Sequence, residues 1–185
     1  SLEESDRGPE AKFYYKKLAE KHFKVYDLIQ AEELWKKVLS FSEGKEKAEA
    51  FKILGDIMAY SGRYEEAKNY YVEGMNIFLP SEEEYFDIKI ALGSLYGQMG
   101  SYKKMAEIFD EILSSLDKEK MLKQLGWVYF YKGIINYNLG NQIEAIDFFN
   151  ESLKIFEKLD NAEGILAIYG TMGAPYFVSG KTKEA

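Results

Sequence analysis

Apolar residues recur along this chain with the 3.6-residue period of a helix rather than the alternation of a strand. Phe51, Leu54, Gly55 and Met58 fall on one helical stripe, and Leu92, Gly93 and Tyr96 repeat its spacing further on. A second stripe follows the first, carried by Tyr64, Ala67, Tyr71, Met75 and Phe78. A glycine stands between the two stripes, so the pattern predicts a unit made of helix, glycine turn and helix.

The unit repeats. GRYEEA (62–67), GSYKKM (100–105), GNQIEA (140–145) and GKTKEA (180–185) align, and their leading glycines, Gly62, Gly100, Gly140 and Gly180, recur at intervals of 38, 40 and 40. Seven residues before each lies another glycine, at Gly55, Gly93, Gly133 and Gly173. The downstream glycine can take a positive φ without a Cβ penalty and so end the first helix. The upstream one leaves room for the second helix to cross closely.

These residues resemble the tetratricopeptide repeat, whose signature places a large residue, Leu-Gly, Tyr, then Gly-x-Tyr, Ala, an aromatic and a small residue at fixed offsets. Phe51, Leu54-Gly55, Gly62, Tyr64, Ala67, Tyr71 and Gly74 carry it most fully. The next unit has Leu92-Gly93, Tyr96, Gly100, Tyr102 and Phe109, with Met105 in place of Ala. The third has Tyr129, Gly133, Gly140, Ala145, Phe149 and Ser152, with Lys132 in place of Leu. The fourth has Tyr169, Met172-Gly173, Tyr176, Gly180 and Ala185. A decayed first unit holds Tyr15, Leu18-Ala19, His22, Ala31, Trp35 and Val38 in register, with Tyr26 at the turn glycine's place.

The resemblance implies an all-α fold, a right-handed α-solenoid (superhelix) of antiparallel helix pairs. Its units are expected at about 12–45, 48–81, 86–119 and 126–159, with a half unit at 166–185. Residues 1–10 are expected to form a flexible N-terminal segment, and the array to be a fragment of a longer protein. The intervals exceed the 34 residues of the standard unit. The surplus is expected near the end of the second helix, as in IFEKLDNAEG, and is similar to the lengthened repeats of kinesin light chains and bacterial peptide-pheromone receptors. Pro175 breaks the pattern and is expected to kink or loosen the last helix.

Composition agrees with helices: of 185 residues 46% are apolar and only three are proline. There is no cysteine, hence no disulfide or thiolate site, and no apolar run long enough to span a membrane. A cytoplasmic location is expected. The net charge is −7, with acids and bases interspersed, which argues against nucleic-acid binding through this segment.

Candidate chemistry is sparse. Gly180-Lys181-Thr182 invites comparison with a phosphate loop, but Pro175 stands where that loop requires a glycine, and the triplet occupies the helix-turn position of the other units. The single histidine, His22, is expected in the core, between the helices of its unit. Glu65-Glu66 and Glu82-Glu83-Glu84 are read as helix starts, where negative charge meets the positive end of the dipole. No catalytic residue, cofactor site or metal site is assigned, so the chain is read as a non-enzyme.

Surface recognition remains. By family analogy the first helix of each unit lines a concave groove. The residues expected to meet a partner are Lys52, Asp56, Asp87, Ser94, Gln98, Trp127, Phe130, Ile134, Tyr137, Asn138 and Phe177. This wall begins charged and ends aromatic and aliphatic. The Lys and Asn clamp by which some tetratricopeptide domains grip acidic chaperone tails is not matched, because Asp56, Ser94, Ala91 and Tyr131 take clamp positions. The expected partner is therefore an apolar or aromatic protein or peptide segment. The alternative is that the wall belongs to the sensory or scaffold part of a larger bacterial regulator, covered by its effector domain or a second copy. Ile165, Ile168, Met172 and Tyr176 are expected on an uncapped face of the last helix, where a homodimer could form.

Overall fold

The computed structural model describes the backbone of residues 8–178 and side chains up to residue 172. Expectations placed on residues 1–7, on the side chains of Tyr176 and Phe177 and on the Gly180 turn lie outside the described residues.

Among the described residues the chain is helical throughout, without a strand. It divides into two compact units, at Ile88/Lys89. The first contains α1 (Gly8–Lys24), α2 (Leu28–Ser40), α3 (Gly44–Tyr60), α4 (Tyr64–Met75) and the start of α5 (Glu83–Gln98). The second contains the rest of α5, then α6 (Tyr102–Ser115), α7 (Leu122–Asn138), α8 (Gln142–Lys158) and α9 (Ala162–Val178). In the first unit α1 packs on α2, α2 on α3 and α3 on α4, and in the second α6 packs on α7, α7 on α8 and α8 on α9, giving antiparallel neighbours. Residues 8–10, expected in a flexible segment, instead form the first turn of α1, where Pro9 is tolerated because the first helical N–H groups have no intrahelical acceptor.

One turn joins each pair. Gly62, Gly100 and Gly140 adopt φ of 72°, 71° and 89°. Around them the N–H groups of Arg63, Ser101 and Asn141 reach back to the carbonyls of Met58, Tyr96 and Asn136, each at 2.8 Å. This 6→1 bond satisfies carbonyls that a helix end leaves open. The decayed first turn has the same form: Asp27 N–H donates to the His22 carbonyl at 3.0 Å, and Tyr26 is held at φ 58°. A tyrosine there bears a strain that glycine would not.

The expectation of a core position for His22 is corrected. It is half-buried, and its Nδ1 lies 2.8 Å from the Asp27 carboxylate, which also accepts the Gln30 N–H at the start of α2. Only this turn has a carboxylate at that place, since Arg63, Ser101 and Asn141 stand there in the others. The acid draws the imidazole toward the turn.

The upstream glycines set the helix spacing. A Cβ on Gly55 would fall 2.5 Å from the Tyr71 ring, on Gly93 2.7 Å from Phe109, and on Gly133 2.6 Å from Phe149. Each aromatic ring lies where a side chain would have stood. In the first pair Ala19 and Trp35 fill these positions, both buried.

The last helix differs from expectation on its packed side. Ile168 is fully buried and Met172 nearly so, in one core with Phe130, Phe149 and Phe156, and Ile165 packs against that core. These residues face the preceding pair. Leu166 and Tyr169, 71% and 62% exposed, are the open ones. The helix also continues past residue 175 to Val178, so the proline does not end it.

Candidate partner-binding face

Lys52 and Asp56 lie one turn apart on α3 and pair with each other at 2.8 Å. Asp56 also accepts a hydrogen bond from the Tyr71 hydroxyl at 2.7 Å. Both charges on this stretch are thus engaged internally, at a place where α3 and α4 cross. Asp87 is half-buried and makes contacts of its own. On α5, Ser94 bonds back to the Ala91 carbonyl at 2.9 Å and Gln98 is exposed at the helix end.

The same repeat positions on α7 are apolar. Ile134 occupies the place of Asp56 and Ser94, and at the repeat position of Tyr71 stands Phe149, which has no hydroxyl to offer. Trp127, Ile134 and Tyr137 are half-buried, resting against the core of α7, α8 and α9. Trp127 meets the Phe156 ring at 5.0 Å and the Phe130 ring at 5.5 Å, both edge to face. Such contacts fix its orientation. Phe130 itself is only 7% exposed and so belongs to the core rather than to the open wall. Asn138 is exposed, and its amide donates to the Ile134 carbonyl at 2.9 Å.

A stripe of three large, partly open side chains on α7 is therefore seated on a rigid aromatic floor. Tyr131, absent from the expected contacts, joins that floor by stacking on Phe109 at 4.9 Å. Its signal in the sequence was the succession Tyr129-Phe130-Tyr131, which helical period alone cannot sort into inner and outer rings. Lys132, where the repeat has Leu, pairs with Asp110 on α6.

The strongest electrostatic feature lies elsewhere. Arg63 forms two hydrogen bonds to Glu32, at 2.7 and 3.0 Å, and two to Glu66, both at 2.9 Å. It joins α2 to the start of α4. The guanidinium holds the Glu32 carboxyl down at about 2, against the opposing effect of burial. Among the described residues no group of His, Cys, Asp and Glu is arranged to hold a metal ion, and no helix is long and apolar enough to cross a membrane.

A family model, described as tetratricopeptide repeat, matches residues 86–115, the pair α5 and α6. Residues 86–115 thus form a tetratricopeptide repeat. A TPR repeat-containing protein of Methanocaldococcus jannaschii is 29% identical over 150 residues, which are 75% of this chain and 25% of that protein. BtubC (BKLC) from P. vanneervenii superposes with a TM-score of 0.74 at 17% identity, over 98% of this chain and 83% of that one. A Rap protein complexed with competence and sporulation factor superposes at 0.80 with 18% identity, over 95% of this chain and 51% of its own. Aspartyl phosphate phosphatase F from Bacillus subtilis does so at 0.80 with 17% identity, over 96% and 48%. At these identities the likeness to solved structures is one of fold. The chain spans a quarter of the curated relative and about half of the Rap protein and phosphatase structures.

Proposed function

We propose that this chain is a non-catalytic, protein-binding tetratricopeptide module whose α7 face receives an apolar or aromatic segment of a partner. The observation that carries the reading is the stripe Trp127, Ile134 and Tyr137, partly open yet seated on the rings of Phe130 and Phe156. Rigid aromatic residues beside a packed core form binding anchors because little side-chain entropy is lost when they are covered. Asn138 and Gln98, both exposed at helix ends, supply polar groups for the partner's backbone. A structural neighbour with a bound factor is consistent with this use of the fold.

The test is selection of a random short-peptide library on the purified protein, followed by affinity measurement on Ile134→Glu and Tyr137→Ala, with circular dichroism confirming that both fold. Selected peptides should be rich in aromatic and aliphatic residues, and Ile134→Glu should weaken them by about tenfold or more, the cost of setting a carboxylate against an apolar side chain. Selected peptides that bind the two variants as they bind the parent would refute the proposal. A reversible dimer lost in Ile134→Glu would instead assign the stripe to a second copy.

A further inference from the structure

On another side of α7, the second unit carries a recess of about 330 Å³ lined by Tyr129, Glu144, Asp147, Phe148 and Glu151. Tyr129 stands two residues from Trp127, about 200° round the helix, so this recess is separate from the proposed peptide face. The other four residues come from α8 at spacings of three or four, which places them on one stripe. The Tyr129 and Phe148 rings lie 6.0 Å apart at 39°, forming two tilted walls.

The charged residues that line the recess are all acidic, and two lysines stand beside it. Glu151 pairs with Lys154 at 2.5 Å. Among the described residues Glu144 and Asp147 have no ion pair or hydrogen bond through their side chains. Phe148 already takes a cation: the Lys132 ammonium lies 5.5 Å from its ring centre while bonded to Asp110. A ring that accepts one tethered cation, a second ring beside it and two free carboxylates at the rim suit a flat or compact organic cation. Aromatic faces attract such a cation through their quadrupole, and the carboxylates neutralise it. A metal ion is a poorer occupant, because rings supply it no oxygen ligand.

We infer that the recess bounded by Tyr129 and Phe148 binds an arginine or lysine side chain from a basic segment of a protein partner. Charge complementarity argues for this occupant, as does the net charge of −7, which steers basic partners toward the chain.

A capped Gly-Gly-Arg-Gly-Gly peptide, followed by nuclear magnetic resonance on the ring protons of Tyr129 and Phe148, tests the inference. The peptide should shift those protons in a saturable way, at low ionic strength most strongly. Glu144→Gln with Asp147→Asn should weaken binding by about tenfold, and Phe148→Leu by about threefold to fivefold. These substitutions lie on the surface stripe of α8, and unchanged amide spectra elsewhere would show that the fold persists. Four outcomes would overturn the inference: no shift at the two rings, shifts spread over all acidic surfaces, Phe148→Leu binding as the parent does, or magnesium producing the same ring shifts as the peptide. Selection of apolar peptides on the other face can fail without touching this result.

Discussion

Substituting alanine for glycine inside a helix should stabilise this protein at one position and damage it at another. Replacing an interior glycine by alanine gains about 1 kcal/mol from backbone entropy alone. At Gly170, an exposed position on α9, the new methyl would meet nothing within 4 Å. Gly170→Ala should therefore gain about 0.5–1 kcal/mol. At Gly133 the same methyl would lie 2.6, 2.7 and 2.9 Å from three atoms of the Phe149 ring. Carbon atoms pack at about 3.5–4.0 Å. The ring would have to retreat by about 1 Å, but it is fully buried and has nowhere to go without separating α7 from α8. Overpacking of this kind costs about 1–3 kcal/mol, and here a close helix crossing is forced apart, so the upper part of that range applies. After the entropy gain is subtracted, Gly133→Ala should lose about 1–2 kcal/mol. Urea unfolding followed by circular dichroism measures both variants. Amide exchange on α7 and α8 would locate the loss if the repeats open separately. Phe149→Leu should relieve the clash, giving the double variant a coupling of about 1 kcal/mol. Equal stabilisation by Gly133→Ala and Gly170→Ala would refute the account of the glycine series.

Three further outcomes follow from particular residues. Tyr26→Asn should raise stability by about 0.5 kcal/mol, because asparagine tolerates the left-handed conformation that the tyrosine holds at φ 58°; thermal melting reads it, and a fall would mean the edge contact of Tyr26 with Tyr60 outweighs the strain. Glu32 ionises in the folded state at about 2 rather than 4.5, so the unfolded chain binds its proton more readily. Its contribution is complete above about pH 4.5, shrinks as pH falls and is gone below about pH 2. The gap corresponds to about 3 kcal/mol, which partial exposure of Arg63 reduces to about 1–2 kcal/mol. Urea titrations of Glu32→Gln and the parent between pH 2 and about 6 should converge at the acid end and separate above it; parallel curves would remove the Arg63 pair from the account. The Trp35 indole N–H is buried with no acceptor among the described residues, where other units hold phenylalanine or tyrosine. Trp35→Phe should accordingly cost less than about 1.5 kcal/mol in urea unfolding, as release of the unpaired donor offsets the lost volume; a cost above about 3 kcal/mol would show that the indole is satisfied.

Much of the architecture was legible because backbone geometry dictates residue type at a few places. A positive φ at Gly62, Gly100 and Gly140 and a ring pressed on Gly55, Gly93 and Gly133 leave a spaced mark that survives degeneration elsewhere. Tyr26 kept the turn's shape after losing its glycine, so the first pair could be found by register alone. Contacts between helices were less legible. Arg63 reads as a residue beside a turn glycine, and nothing local shows that its guanidinium reaches back to Glu32 on α2. Likewise Ile168 and Met172 have the spacing of an amphipathic stripe, but spacing does not say which neighbour the stripe meets. It meets the preceding pair. On α7, helical period separated Trp127, Ile134 and Tyr137 from Tyr129. Depth decided the rest: Phe130 sits within the core, and the recess beside Phe148 forms only when α8 lies against α7.

The proposed recognition face is tested most directly through Trp127 itself. In a Trp35→Phe background Trp127 is the sole tryptophan, and its emission can be titrated with the apolar peptide selected on the parent. A saturable blue shift, abolished by Ile134→Glu and retained in Glu144→Gln, is the predicted result. Binding at undiminished affinity with unchanged Trp127 emission would place the partner elsewhere and contradict the account.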